Sequence, residues 1–93
     1  MTAKKYKDSF IVMNEKGLHT RPSTELVKCA ASFKSQMTLT YHDAVVNAKS
    51  LLGILMLAAA RGSKIEVEAE GDDAEEAVRT ILDLARNKFN IKY

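Results

Sequence analysis

Gly17-Leu18-His19-Thr20-Arg21-Pro22 is the stretch around which the rest of the chain is arranged. Pro22 suits the first turn of a helix, where its missing N–H leaves no hydrogen bond unmade. Beyond it Leu26, Cys29, Ala30 and Phe33 recur at helical spacing, which predicts a helix from His19 to about Ser35. The open end of such a helix presents unpaired N–H groups and the positive pole of the helix dipole. It attracts anions, phosphate above all, and Arg21 adds a fork of charged donors two residues from His19. Both features favour the neutral, nucleophilic form of the imidazole. A nucleophilic histidine in an anion cradle points to a covalent phosphohistidine. A lone histidine at a helix start is more often a surface residue or a cap, so the neighbouring segments have to decide.

Outward from the hexapeptide, Asn14-Glu15-Lys16-Gly17 is turn chemistry. It follows a first strand over Tyr6–Met13 with Phe10 to Met13 at its apolar end. Downstream, Met37, Leu39 and Tyr41 alternate with Thr38 and Thr40, a half-buried strand. His42-Asp43-Ala44 turns the chain into a short third strand, Val45–Ala48, so the two strands form a hairpin. Ser50 is an N-cap candidate for a second helix from Leu51 to about Arg61, closed by Gly62. That helix is apolar on nearly every face, more than one core-facing stripe requires, and exposed apolar surface marks docking. Ile65, Val67 and Ala69 alternate with Glu66, Glu68 and Glu70, the clearest strand in the chain, with one wet face. Asp72 and Asp73, each followed three residues on by Glu75 or Glu76, read as a capping box. Ala77, Val78, Ile81, Leu82 and Ala85 give the third helix an apolar stripe that ends near Lys88, and Asn90–Tyr93 reads as a tail. The order is β-α-β-β-α-β-α, an α+β domain with helices gathered on one face of an antiparallel sheet. Pattern alone favours a split βαβ, ferredoxin-like arrangement with an added helix.

Ninety-three residues make a single domain, residues 1–93. Fourteen basic against twelve acidic residues leave +2, too little for an electrostatic nucleic-acid binder. The single cysteine, Cys29, cannot close an internal disulfide, which agrees with a reducing compartment, and its place on the core face suggests packing. The amino-terminal Met-Thr-Ala-Lys-Lys-Tyr-Lys-Asp has no apolar core of a signal peptide. The longest apolar run, Leu51 to Ala60, is too short to span a bilayer. No cluster of His, Cys and carboxylates has metal-ligand spacing, and no glycine-rich nucleotide loop is present, so neither metal nor cofactor is expected. These features describe a cytoplasmic protein.

Three stretches together carry a resemblance: Gly17-Leu18-His19-Thr20-Arg21-Pro22, Val46-Asn47-Ala48-Lys49-Ser50-Leu51, and Ala69-Glu70-Gly71-Asp72 leading into the last helix. Over nearly its whole length the chain resembles the HPr family, the histidine-containing phosphocarriers of the bacterial phosphoenolpyruvate-dependent phosphotransferase system. The resemblance implies an open-faced β-sandwich of four antiparallel strands in the order 1-4-2-3, with three helices on one side. It implies that His19 accepts a phosphoryl group on Nδ1 from enzyme I, that Arg21 steadies it, and that it passes to enzyme IIA components in sugar uptake. Ser50 matches the serine that HPr kinase/phosphorylase modifies as a regulatory switch in many bacteria. Thr20, Lys49, Leu51, Leu52 and Leu55 match the partner-docking surface, and a monomer without membrane insertion is expected. Two departures stand out: the hairpin at Asp43-Ala44 lacks a common glycine, and Ala58 stands where a glycine is common near the active centre. Ile54-Leu55-Met56-Leu57 with Ile65–Ala69 is similar to the nitrogen-related branch of the family, whereas Lys49-Ser50 is similar to kinase-regulated members.

Three classes of function compete on this reading. The chain is a phosphoryl carrier for sugar uptake, with no independent turnover, or a regulatory relay whose partners depend on the states of His19 and Ser50. The third class, a small hydrolase of the acylphosphatase kind, ranks last, because a histidine occupies the place of its phosphate-loop chemistry. His42 is a polar turn residue.

Overall fold

A computed structural model describes residues 4–93. The first three residues, part of the stretch read as lacking a signal peptide, lie outside the described residues. The elements are β1 (Lys5–Ile11), α1 (Thr20–Ala31), β2 (Gln36–Tyr41), β3 (Ala44–Asn47), α2 (Leu51–Met56), β4 (Lys64–Glu70) and α3 (Ala74–Arg86), followed by a short 3₁₀ turn at Lys88–Asn90.

The four strands form one antiparallel sheet in the order β1-β4-β2-β3. The clear alternation of β4 is explained by its central place: Val67 pairs with Asp8 on one side and Leu39 on the other. Ile65, Val67 and Ala69 are fully buried on one face, while Glu66 and Glu70 are exposed on the other. A one-residue slip would exchange the two sets, so the pattern pins the register. Nothing in the local pattern says that β4 enters between β1 and β2. The observed order is the one the family resemblance implied, and the ferredoxin-like order is not formed.

The helices cover the buried face. α1 contributes Leu26 and Ala30, and α3 contributes Ala77, Val78, Ile81 and Ala85. Cys29 is half-buried against this core, and burial pushes its thiol pKa up, away from reactive thiolate. β2 and β3 join as the expected hairpin through His42 and Asp43, with His42 in the left-handed region at φ 54°.

Several boundaries differ from the sequence reading, among them β3, which runs one residue earlier than the expected Val45–Ala48. β1 stops at Ile11 rather than Met13, because there the chain leaves β4; Val12 instead bonds the loop before it, exchanging bonds with Ser63 and Gly62. α1 stops at Ala31 rather than Ser35, because the N–H groups of Lys34 and Ser35 turn to the carboxylate of Asp73 at 2.9 and 3.0 Å. That carboxylate also accepts from the Ser35 hydroxyl, so Asp73 occupies the N-cap position of α3 without capping it. The expected capping box is not made. The Ser35 hydroxyl first, then the Lys34 N–H, hold the Asp73 carboxyl below the usual aspartate range.

α2 ends at Met56, five residues short of Arg61. The alanines that follow are good helix formers, but tertiary bonding overrides propensity. Ala58 adopts φ 50°, and the buried Ala59 offers its carbonyl to the N–H of Leu18 at 2.9 Å. The expected tail, Asn90–Tyr93, is exposed or half-buried, but the residue just before it belongs to the core. Phe89 is fully buried and meets Phe10 edge to face, with centroids 5.8 Å apart at 71°.

Candidate functional site

The loop before α1 is folded by Gly17, whose φ of +72° and close approach to Ala59 and Ala60 leave no room for a Cβ. The same approach carries the Leu18 N–H to Ala59 and sets His19 as the N-cap of α1, in extended conformation. The His19 carbonyl accepts the first intrahelical bond, from Ser23 N at 3.0 Å. Its imidazole makes no capping bond and is left to face the surface, half-buried. Pro22 lies buried in the first turn, as the hexapeptide predicts.

The ring of Tyr93 lies beside the imidazole, centroids 5.9 Å apart and tilted by 15°. Arg21 Nη1 donates to the Tyr93 hydroxyl at 2.6 Å, so the guanidinium is drawn to the His19 side of the helix end. Lys16 Nζ stands 5.2 Å from the centre of the same ring, a second cation at the site. His19 Nε2 is 3.4 Å from the main-chain oxygen of Tyr93. On the other side a shallow hollow of about 390 Å³ is lined by Lys16, Leu18, His19, Thr20, Leu55 and the Ala58–Ala60 segment. Imidazole, guanidinium and ammonium thus converge at a helix N-terminus open to solvent. That combination suits an anion held moderately and released again.

The structure brings together His19, Thr20, Arg21 and Leu55, and it places the remaining expected residues around α2. Ser50 is the N-cap of α2, its hydroxyl accepting from Gly53 N at 3.1 Å. Leu51 and Leu52 follow, Leu52 with 70% of its surface exposed. Lys49 is not directed at His19; its ammonium donates to the Phe33 carbonyl at 2.8 Å, beyond the far end of α1. Reading by residue type missed Lys16, Met56 and Tyr93. Met56, 74% exposed, lies one turn after Leu52 on the same strip, and that i, i+4 spacing was the available signal. Lys16, three residues before His19, was legible only as a turn residue.

Among the described residues no group of three His, Cys, Asp or Glu side chains could hold a metal ion, and no helix is long and apolar enough to cross a membrane.

The family model for the PTS HPr component phosphorylation site matches residues 6–87. The chain belongs to the HPr family. It is 43% identical over 83 residues to the phosphocarrier protein HPr of Neisseria meningitidis, covering 89% of this chain and 93% of that one. The Xylella fastidiosa HPr is 40% identical over 80 residues, covering 86% and 90%. Among solved structures, an HPr of Thermoanaerobacter tengcongensis superposes with a TM-score of 0.89 at 36% identity, covering 95% of this chain and 99% of that one. An HPr dimer from the same organism is 41% identical with a TM-score of 0.74, covering 84% and 90%. Membership of the HPr family carries with it the role of phosphoryl carrier in the phosphotransferase system, and with that role come partners among the enzymes of the system.

Ala58 lies in the left-handed region, at φ 50°. An L-residue in that region costs roughly 1–2 kcal/mol, and part of this is offset because glycine loses more entropy on folding. Ala58→Gly is therefore expected to raise stability by up to about 1 kcal/mol. Thermal unfolding checks this, and a lowered midpoint would contradict it.

Proposed function

We propose that His19 is the phosphoryl acceptor and that its Nδ1 takes the group from phospho-enzyme I and yields it to enzyme IIA components. The carrying observation is that Arg21 and Lys16 both meet the Tyr93 ring that lies beside the imidazole at the N-terminus of α1. The transfer is in-line, with His19 first as nucleophile and then as leaving group. Positioning and charge stabilisation supply most of the catalysis, and the larger partner provides the rest. A carrier must not bind phosphate too well, because uniform binding would stall onward transfer. Arg21, exposed and able to exchange the Tyr93 hydroxyl for a phosphoryl oxygen, suits that moderate grip. The whole chain acts as one HPr domain, a cytoplasmic monomer without turnover of its own, in sugar uptake and its regulation. Incubation with phosphoenolpyruvate and enzyme I, then a chase with a IIA component, tests the reading. Label should enter and leave; stable or absent label would refute it.

The exposed strip of Leu51, Leu52 and Met56, continuing to Leu55 and Thr20 beside His19, supports the reading of this face as the surface that meets enzyme I and IIA. Leu52→Ser is expected to weaken enzyme I binding while changing stability by no more than about 0.5 kcal/mol. Loss of about 2–5 kcal/mol, the cost of truncating a core leucine, would place Leu52 in the core instead.

Ser50 is the proposed regulatory phosphorylation site for an HPr kinase/phosphorylase. Phosphate there adds about −1.5 to −2 charge at a helix N-terminus, which tolerates it, beside the apolar strip. Inhibition then comes from like-charge repulsion and desolvation against the partner rather than from refolding. Ser50→Asp should slow His19 phosphorylation, most at low ionic strength, whereas Ser50→Ala should transfer normally with a capping deficit of ~1 kcal/mol. A Ser50→Asp rate equal to wild type at low salt would refute the block. A second reading, the regulatory relay without sugar transport, rests on the likeness of Ile54–Leu57 and Ile65–Ala69 to the nitrogen-related branch, and transfer to sugar-specific IIA components separates the two.

A further inference from the structure

The observation left over from the site is Asn14. It is fully buried in the loop before His19, and its Nδ2 donates to the main-chain oxygens of Lys88 at 3.0 Å and Tyr93 at 3.2 Å. Two carbonyl-type neighbours leave only one orientation for the amide. Its Oδ1 is buried and has no partner among the described residues. A buried acceptor without a partner is destabilising, so the packing core gains less from asparagine here than an apolar side chain would give. The two donated bonds are what the residue accomplishes, and both hold the end of the chain against the His19 loop.

We propose that Asn14 and Tyr93 are positioning residues for His19, holding its imidazole in the tautomer with the proton on Nε2 and the lone pair on Nδ1. This rests on the phosphocarrier reading and specifies how the nucleophile is set. A neutral imidazole carries one N–H, and the hydrogen bond made by one nitrogen decides the state of the other. The atom facing Nε2 is the main-chain oxygen of Tyr93, which can only accept. The contact is favourable only when Nε2 bears the proton. That oxygen does not wander with the chain end, because Asn14 Nδ2 donates to it. Meanwhile the Tyr93 ring packs along the imidazole and its hydroxyl accepts from Arg21. One residue therefore orients nucleophile and arginine together, through its backbone and its side chain respectively.

The consequence for transfer follows. The Nδ1 lone pair forms the N–P bond while the bond from phosphorus to the donor's leaving atom breaks, and that atom keeps the bonding pair. The Nε2 proton stays on the ring, which becomes cationic as the bond forms. Its N–H then faces the Tyr93 oxygen, an interaction that strengthens with the positive charge. Onward transfer reverses each of these changes.

The test uses the nitrogen chemical shifts of the two histidines in the full-length, unphosphorylated protein at a pH where both are neutral. Exposed His42 serves as the internal reference. His19 is expected to show a larger share of the Nε2–H tautomer than His42, and Asn14→Ala should return it to the His42 mixture. The same variant should slow phosphorylation by enzyme I about three- to tenfold. Tyr93→Phe keeps the main-chain oxygen and should leave the tautomer in place. Equal tautomer shares for His19 and His42 in the wild type would overturn the proposal, whether or not Asn14→Ala folds. So would an unchanged His19 in folded Asn14→Ala, or a tautomer shift in Tyr93→Phe. No phosphoryl donor enters these spectra, so a locked tautomer with no uptake of phosphate would refute the carrier reading and leave the positioning pair standing.

Discussion

His19→Ala is expected to take up no phosphoryl group from phosphoenolpyruvate and enzyme I, while keeping its fold. The imidazole makes no capping bond and is only half-buried, so its removal should change stability by no more than about 1 kcal/mol. Loss of label then cannot be ascribed to unfolding. In the wild type the linkage should be a phosphoramidate, labile in acid and stable in base, because the leaving nitrogen protonates at low pH. Ser50 offers a hydroxyl whose phosphoester would show the opposite acid behaviour, which separates the two sites without sequencing. Acid-labile label persisting in His19→Ala would remove His19 from the mechanism; His42, exposed in the β2–β3 turn, would then be the group to examine.

Phe89→Ala is the second large effect, and it falls on stability. Phe89 is fully buried, edge to face on Phe10, and sits in a turn whose residues Lys88, Phe89 and Asn90 all have positive φ, 54°, 56° and 62°. Left-handed backbone is unfavourable for Lys88 and Phe89, and burial of the ring, beside the Asn14 bond to the Lys88 carbonyl, helps offset that cost. Truncating a buried phenylalanine costs about 3–5 kcal/mol, and here it also removes part of what holds the turn. Denaturant unfolding should show a loss in that range, together with release of Tyr93 from Arg21 and His19. A loss below about 1 kcal/mol, within what a surface substitution can give, would mean that the carboxyl-terminal turn does not secure the core.

The parts of this molecule that depend on short-range periodicity were legible in its sequence. Ile65 to Glu70 could only be a strand with one wet face, and Pro22 and Ser50 could only mark helix starts, because each signal is local and steric. Sheet order was not legible from pattern, since β4 meets β1 and β2 through residues far away in sequence; the family motifs supplied it. The end of α2 was misread because Ala58–Ala60 favour helix locally while the Ala59 carbonyl serves Leu18. Asp73 was misread for the same kind of reason: its carboxylate serves Ser35 and Lys34 rather than its own helix. At the site, His19 and Arg21 were visible as a motif, and Leu52 as excess apolarity. Asn14 and Tyr93 were invisible, because their meaning lies in contacts between the two ends of the chain, and Lys49 proved to be engaged with Phe33.

The most direct measurement is nitrogen–phosphorus coupling in histidine-labelled protein after incubation with phosphoenolpyruvate and enzyme I. A single phosphoryl group should couple to Nδ1 of His19, with His42 unlabelled. Coupling to Nε2, phosphate on His42, or no incorporation would each contradict the assignment of His19 Nδ1 as the carrier atom.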